Sequence, residues 1–565
     1  MINNLLFLLA PSEKAIAEDG YTYLPPLCIG LLAGYLKKRG LDVELSDLGQ
    51  VLPKIYSGNE EQFSFLFQYD NIRDYVSGCA EVELEQKVDT YVEQLLNGIS
   101  IDQYDMAGIS CGADFSFFQV HSALLIGNYI KKKYNTDILL GGNNITYLLM
   151  FEDTFSELLQ LMLCHFPYVM KGPGEHIIWQ LVQCLNGELD SDVYELNGMV
   201  YLKDDSVVAN QEEQPRIVCP DWCNLDMSYY YLKVRRNGKT NTSKNEIDVN
   251  VHLYKWPFYL SHFVSNVHKH QKRQEFNDVL VLPYIFNFHC PYSCAFCSES
   301  DIERKNVILG DPEQTVNDLQ WLSEQYNTNY FYFFNNAINA SSTFMKKFCN
   351  LIIERNLDFH WSDCARFNGM TYERLKLLKK AGCKKLVFGF ETASKKLIEL
   401  VDKRIDLEHA EQVLKWCKEL GIWADLEVII GLPQEGDEEF AETVSYVQKN
   451  KELINFMTIN EFFVVPRSKI GLNPEKYGIK LIKNIVNYEK ILNKSLNYFL
   501  YHKGKPLGNF KIYKYFEIGG RSFKEILEQN VKKIRYMNSL QNKEFTEVES
   551  IYRMINKKQF IRRML

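Results

Sequence analysis

Asn287-Phe288-His289-Cys290-Pro291-Tyr292-Ser293-Cys294-Ala295-Phe296-Cys297 spaces three thiols as C-x3-C-x2-C. The apolar run 279–286, Val-Leu-Val-Leu-Pro-Tyr-Ile-Phe, comes directly before it. Such a run predicts a buried strand, which puts the cysteines on the loop leaving its C-terminal end. Soft thiolates on one short loop suit an iron–sulfur cluster. Three ligands leave one iron of a four-iron cluster open to a small molecule, and chemistry is expected there.

The spacing is specific. With 14 cysteines in 565 residues, this triplet is expected by chance roughly 0.01 times per chain. The pair Cys219-Pro220-Asp221-Trp222-Cys223 is expected roughly 0.3 times and is read as structural or incidental. A zinc site is the alternative for the triplet, but it lacks a fourth local ligand. His289 abuts Cys290 and gives poor tetrahedral geometry.

The triplet, with Phe296 before the last cysteine, resembles the radical S-adenosylmethionine (SAM) superfamily. The resemblance implies a [4Fe-4S] cluster held by Cys290, Cys294 and Cys297, with SAM chelated on the open iron. One electron from the cluster would cleave SAM to methionine and a 5′-deoxyadenosyl radical, which abstracts hydrogen from the substrate. The reactive agent would be this radical, so no side chain is named as catalytic.

Length and composition agree with such an enzyme. A chain of 565 residues exceeds one core and predicts two or three domains. With 46% hydrophobic and 24% charged residues it has the composition of an ordinary globular protein. A net charge of −8 offers no basic face for nucleic acid. No apolar run approaches the roughly 18 residues that a membrane span needs. The start, Met1-Ile2-Asn3-Asn4 before an apolar run, predicts a first strand rather than a signal peptide. Scattered cysteines suit a reducing cytoplasm.

Residues 1–210 alternate strand and helix. Strands are expected at 5–9, 42–46, 104–110, 137–140 and 168–170, with helices at 29–39, 121–133 and after 175. That alternation predicts a parallel, doubly wound, Rossmann-like sheet, which binds ligands beyond the carboxyl ends of its strands. Ser110, Gly141, Gly142, Gly172 and Gly174 would gather there. The glycines either admit a bulky ligand or are plain helix-entry turns. Pro25-Pro26 before a Gly-containing helix, Gly108-Ile109-Ser110, Gly141-Gly142-Asn143 and Gly172-Pro173-Gly174-Glu175 resemble the cobalamin-binding domain that precedes many radical SAM domains. The resemblance implies cobalamin bound by Ser110, Gly141, Gly142, Gly172 and Glu175. None of the 11 histidines sits in a D-x-H-x-x-G pattern, so cobalamin would have no protein imidazole ligand. The same absence fits a domain that keeps the fold without the cofactor. His121 and His176 are read as surface or packing residues.

Residues 211–278 form a polar linker or insertion, with the loop-like run 235–245. His262, His268 and His270, with Lys269, Lys272 and Arg273, are read as a solvated helix face. Residues 279–475 then predict six βα-like units, an incomplete TIM-like parallel barrel with its functional groups at the C-terminal strand ends. The resemblance assigns those ends to SAM. Asn335 and Asn336 would face its amino group, although the usual Gly-Gly-Glu is absent. Arg366 would pair with its carboxylate or a substrate acid. Glu391, in Phe388-Gly389-Phe390-Glu391-Thr392, would accept the ribose hydroxyls. Lys403 sits where related sequences carry a lysine, and the Gly431 turn would meet the adenine. For Arg366, Glu391, Lys403 and Glu427 the plain alternative is a strand-end surface charge. Cys364 and Cys383 are read as core residues. Residues 476–565 predict a mainly helical tail.

The favoured activity is cobalamin-dependent methyl transfer to an unactivated carbon or phosphorus centre of a small molecule or peptide. An electron donor such as flavodoxin or ferredoxin would feed the cluster. Radical cyclisation, ring formation or oxidative rearrangement is the second possibility, and a non-catalytic cobalamin or redox sensor the third. The SAM-directed strand ends count against the sensor.

Overall fold

Among the described residues, apolar strands alternating with amphipathic helices generate a seven-stranded and a six-stranded sheet, beside three two-stranded ones. The computed structural model describes residues 1–12, 24–59, 61–112, 117–231, 233–235, 246–248, 280–298, 306–482 and 513–541. The His262, His268 and His270 cluster and the run 236–245 lie outside the described residues. Contacts divide the chain into one unit of residues 1–229 with 484–511 and a second of 230–483 with 512–565.

In the N-terminal unit, strands β1 (Asn4–Leu9), β2 (Asp42–Asp47), β3 (Met106–Ser110), β4 (Asp137–Gly141) and β5 (Tyr168–Met170) are parallel, in the order β2-β1-β3-β4-β5. The antiparallel hairpin β6 (Met199–Lys203) and β7 (Ser206–Ala209) extends the β5 edge. Residues 5–8 of β1 are all buried, because helices cover both faces of a parallel sheet. Leu9 pairs with Ser110, and Ser110 pairs with Gly141. These C-terminal strand ends therefore stand level at the β1/β3 switch point, where doubly wound sheets take ligands.

Residues 219–223 return to helix α1 (Leu27–Lys37). Trp222 is fully buried, and its Nε1 donates to Pro26 O at 3.0 Å. A Cβ at Gly30 would fall 2.3 Å from Trp222 Nε1, and one at Gly34 would fall 1.9 Å from Cys219 O. Two glycines one helical turn apart thus open the groove that seats this segment. The Cys219–Cys223 pair brackets a clamp.

In the second unit, β8 (Val281–Tyr284), β9 (Tyr330–Phe333), β10 (His360–Ala365), β11 (Cys383–Glu391), β12 (Trp423–Ile430) and β13 (Phe456–Glu461) form one parallel sheet in chain order. The strands follow one another across the sheet without doubling back. Tyr515–Glu517 pairs antiparallel with Ile479–Leu481, and among the described tail residues there is one helix, α2 (Phe523–Ser539). No described helix is long and apolar enough to cross a membrane.

Candidate active site

The cysteine loop is anchored by aromatic packing and by one asparagine. Phe286, at its start, is fully buried against Phe333, Phe344 and Phe348, with ring centroids 4.9–5.3 Å apart. Asn335 Oδ1 accepts from Phe286 N at 2.9 Å and from Asn287 N at 3.0 Å, and its Nδ2 donates to Asp363 Oδ2 at 2.8 Å. Further along, Ala295 N donates to Val401 O at 2.8 Å, and Lys469 Nζ donates to Ser293 O at 2.8 Å. Cys294 is buried, while Cys290 and Cys297 are partly exposed. Burial pushes the Cys290 thiol up, opposed by a backbone hydrogen bond at Tyr292 and by the charges of Arg366 and Lys403. Among the described residues, no three His, Cys, Asp or Glu side chains converge as a single metal ion needs. A cluster has no such need, because it takes each thiolate on a different iron.

Two cations face this loop. Arg366 Nη1 stands 3.6 Å from Cys294 Sγ, and its Cζ lies 3.7 Å from the centre of the Tyr292 ring. Lys403 Nζ donates to Glu391 Oε1 at 2.7 Å, with both side chains buried, and lies 5.7 Å from the centre of the Phe296 ring. Glu391 has a φ of 69°, and the β11/β12 register shifts between Gly389 and Glu391. That irregularity re-aims the carboxylate at the strand end.

Below them the sheet carries a polar column. Lys385 and Asp425 form a fully buried ion pair at 2.5 Å. Burial pulls the ammonium down and the carboxyl up, each resisted by the other's charge. Glu427, two residues beyond Asp425 and so on the same face, accepts from Asn460 Nδ2 at 2.5 Å. Burial, then the neighbouring Glu391 charge, pushes its pKa up to about 7. Cys383 is buried as expected, whereas Cys364 is partly exposed.

The remaining barrel-end positions divide. Asn335 has both oxygen lone pairs on backbone N–H groups, so its place is in the scaffold rather than toward a ligand's ammonium. The Asn336 side chain is exposed, and its N–H donates to Asn287 Oδ1 at 3.0 Å. Gly431, at φ 87°, donates its N–H to Glu435 Oε2 at 3.2 Å and accepts from Tyr515 Oη at 3.2 Å. A Cβ there would fall 2.3 Å from Asn530 Nδ2 of α2, so the tail packs directly on this turn.

In the N-terminal unit, Ser110 Oγ lies 4.0 Å from Cys28 Sγ. Gly141 and Gly142 have different roles. Gly142 is the N-cap of a helix (Asn143–Met150) at φ 113°, and a Cβ on it would fall 2.2 Å from Cys111 O. A Cβ on Gly141 would meet nothing within 4 Å. Beside them, Asn144 is fully buried with neither side-chain nitrogen nor oxygen hydrogen-bonded. Such an amide costs about 1–3 kcal/mol unless something pairs with it. Asn144 directly follows the Gly141-Gly142-Asn143 motif, but only burial singles it out. Gly172 N donates to Thr146 Oγ1 at 3.3 Å. Glu175 opens a helix (Glu175–Leu185), and burial pushes its carboxyl up. His121 is fully buried, hydrogen-bonded to Leu66 O and stacked on Phe117, and burial lowers its pKa to about 4. His176 Nδ1 pairs with Tyr35 Oη at 2.8 Å. Both are packing residues.

Residues 284–447 match the family described as the radical SAM superfamily. That stretch is a radical SAM domain. A radical SAM domain takes a [4Fe-4S] cluster and SAM, and the three cysteines, the unpaired Arg366 Nε–H and the thiolate chemistry fit a bound anionic cluster. Two curated relatives are similar in sequence. The anaerobic magnesium-protoporphyrin IX monomethyl ester cyclase of Rubrivivax gelatinosus is 22% identical over 58% of this chain and 52% of the relative. The chain therefore spans about half of that protein. Cytidylyl-2-hydroxyethylphosphonate methyltransferase of Streptomyces wedmorensis is 21% identical over 76% of this chain and 73% of the relative. Among solved structures, the radical SAM methyltransferase TsrM from Kitasatospora setae, with cobalamin and a [4Fe-4S] cluster bound, covers 95% of this chain and 89% of its own, with TM-score 0.57 and 14% identity. The two proteins share a fold.

Proposed function

We propose that this radical SAM enzyme binds cobalamin on its N-terminal unit and methylates an unactivated carbon or phosphorus centre of a small molecule. The observation that carries the proposal is Asn144, a buried amide without a partner beside the open position at Gly141. Both lie where a doubly wound sheet takes its ligand. The rim of a corrin is studded with primary amides, which donate and accept, so Asn144 fits that ligand. Ser110 and the backbone at Gly141 and Gly172 would complete the cradle.

The cluster supplies the electron that cleaves SAM reductively, and cobalamin supplies a methyl carrier. Cys290, Cys294 and Cys297 hold the cluster. Glu391, held in place by Lys403, accepts the two ribose hydroxyls. The exposed Asn336 amide would face the SAM amino group. The polar groups of Gly431 are already used by Glu435 and Tyr515, so its turn meets the adenine through apolar contact. An external one-electron donor, flavodoxin or ferredoxin, completes the system.

Similarity to the cyclase favours a second reading, radical ring formation on the same scaffold. SAM products separate the two. Cluster- and cobalamin-loaded protein, incubated without oxygen with SAM and a reductant, should yield both S-adenosylhomocysteine and 5′-deoxyadenosine. 5′-Deoxyadenosine alone would favour the cyclase-like reading and count against methyl transfer.

A further inference from the structure

Arg366 is expected at a carboxylate, yet its guanidinium is held by other groups. Nη2 donates to Lys403 O at 2.7 Å, Nη1 points at Cys294 Sγ from 3.6 Å, and Tyr292 covers its face. Its backbone is fixed as well. Arg366 N donates to Asn339 Oδ1 at 3.0 Å, and Arg366 O accepts from Asn339 Nδ2 at 2.9 Å. The residue is 7% exposed, and its Nε–H has no hydrogen-bond acceptor in the protein. Among the described residues no carboxylate forms an ion pair with it.

A guanidinium does not deprotonate in a protein. A buried one without a counter-ion is strongly destabilising, so this position calls for an anion. Lys403, the other cation at the loop, is already neutralised by Glu391 at 2.7 Å. Arg366 is therefore the uncompensated positive charge beside the thiolates.

We propose that Arg366 sets the reduction potential of the cluster, as an N–H donor and fixed counter-charge to the Cys294 thiolate. The proposal rests on the cluster reading of Cys290, Cys294 and Cys297. Reduction adds one electron to the cluster. A cation held at hydrogen-bond distance from a ligand sulfur stabilises that added charge and raises the potential. Low local dielectric strengthens the effect. The three-cysteine spacing is common to such clusters, so their potential is tuned by groups of this kind. Arg366 acts through the ligand and is a tuning residue.

The test is an anaerobic redox titration of the full-length, cluster-reconstituted protein without SAM. The reduced cluster is followed by electron spin resonance, and iron and sulfide are quantified in each sample. Arg366→Gln should lower the reduced-to-oxidised ratio at a fixed potential by about tenfold, equivalent to about 59 mV for one electron. Arg366→Lys, which keeps a charge but loses the planar fork, should shift in the same direction by less. An unchanged midpoint in cluster-loaded Arg366→Gln would overturn the proposal. If that variant holds no cluster, a wild-type midpoint in cluster-loaded Arg366→Lys would overturn it equally. Failure of the wild type itself to take up iron and sulfide would instead refute the cluster reading.

Discussion

A Cβ on Gly389 would stand 2.8 Å from Lys403 Nζ and 3.1 Å from Glu391 Oε1. The missing side chain is what lets a buried ammonium and carboxylate meet over strand β11. Gly389→Ala should push Lys403 off its partner. Expected losses are about 1–3 kcal/mol of stability and a clear weakening of SAM binding. Chemical denaturation and calorimetric titration of the cluster-loaded protein check both. Unchanged SAM affinity would remove the pair from the SAM site.

Glu427 makes stability depend on pH. Its folded pKa of about 7 lies above the ordinary carboxylate value, so the folded state keeps a proton that the unfolded state releases. This group's contribution therefore falls as pH rises from about 4.3 to 7, and it stays low above that. Glu427→Gln should be near neutral at pH 5 and relatively stabilising, by about 1–3 kcal/mol, at pH 8. Denaturant midpoints at the two pH values test this. A pH-independent difference would contradict the burial of this carboxyl.

What could be read from the sequence was local. C-x3-C-x2-C lies within eight residues, and the strand–helix alternation that predicts both sheets needs only windows of a dozen or so. Glu391 sat in a recognisable strand and ends up beside the cysteine loop. Asn335 was legible only as a strand-end residue. Its partners lie 28, 48 and 49 positions away, so its role as a scaffold tie depends on how strands pair. The clamp at Trp222 reaches Pro26, 196 positions back, and chance spacing of its flanking cysteines says nothing of that. Asn144 was hidden for a different reason. An unpartnered amide is a property of its surroundings and leaves no mark on spacing.

Adjacent glycines in the N-terminal unit should respond in opposite ways. Gly142→Ala faces both a positive φ and a backbone oxygen 2.2 Å away, and should cost about 2 kcal/mol or more. Gly141→Ala has open space around it and should leave thermal unfolding of the unloaded protein unchanged. It should nevertheless reduce cobalamin retention, because the added methyl occupies the ligand's side of the strand end. Full retention by Gly141→Ala would move the cofactor elsewhere.

At the tail, Lys533 Nζ donates to Glu435 Oε1 at 3.0 Å with both side chains buried. Lys533→Met would leave Glu435 without its cation and should cost about 3–5 kcal/mol. The double variant Lys533→Met, Glu435→Leu should recover part of that loss. A double variant no more stable than the single one would show that the ion pair is not what fastens α2 to the Gly431 turn.

Cobalamin retention tests the central claim most directly. Protein reconstituted with its cluster in the absence of oxygen would be incubated with hydroxocobalamin, desalted, reduced, and examined by absorption and electron spin resonance. Near-stoichiometric retention, with a cob(II)alamin signal free of nitrogen coupling, is the predicted result. Loss of all cobalamin on desalting, with the cluster intact and SAM still cleaved, would contradict it.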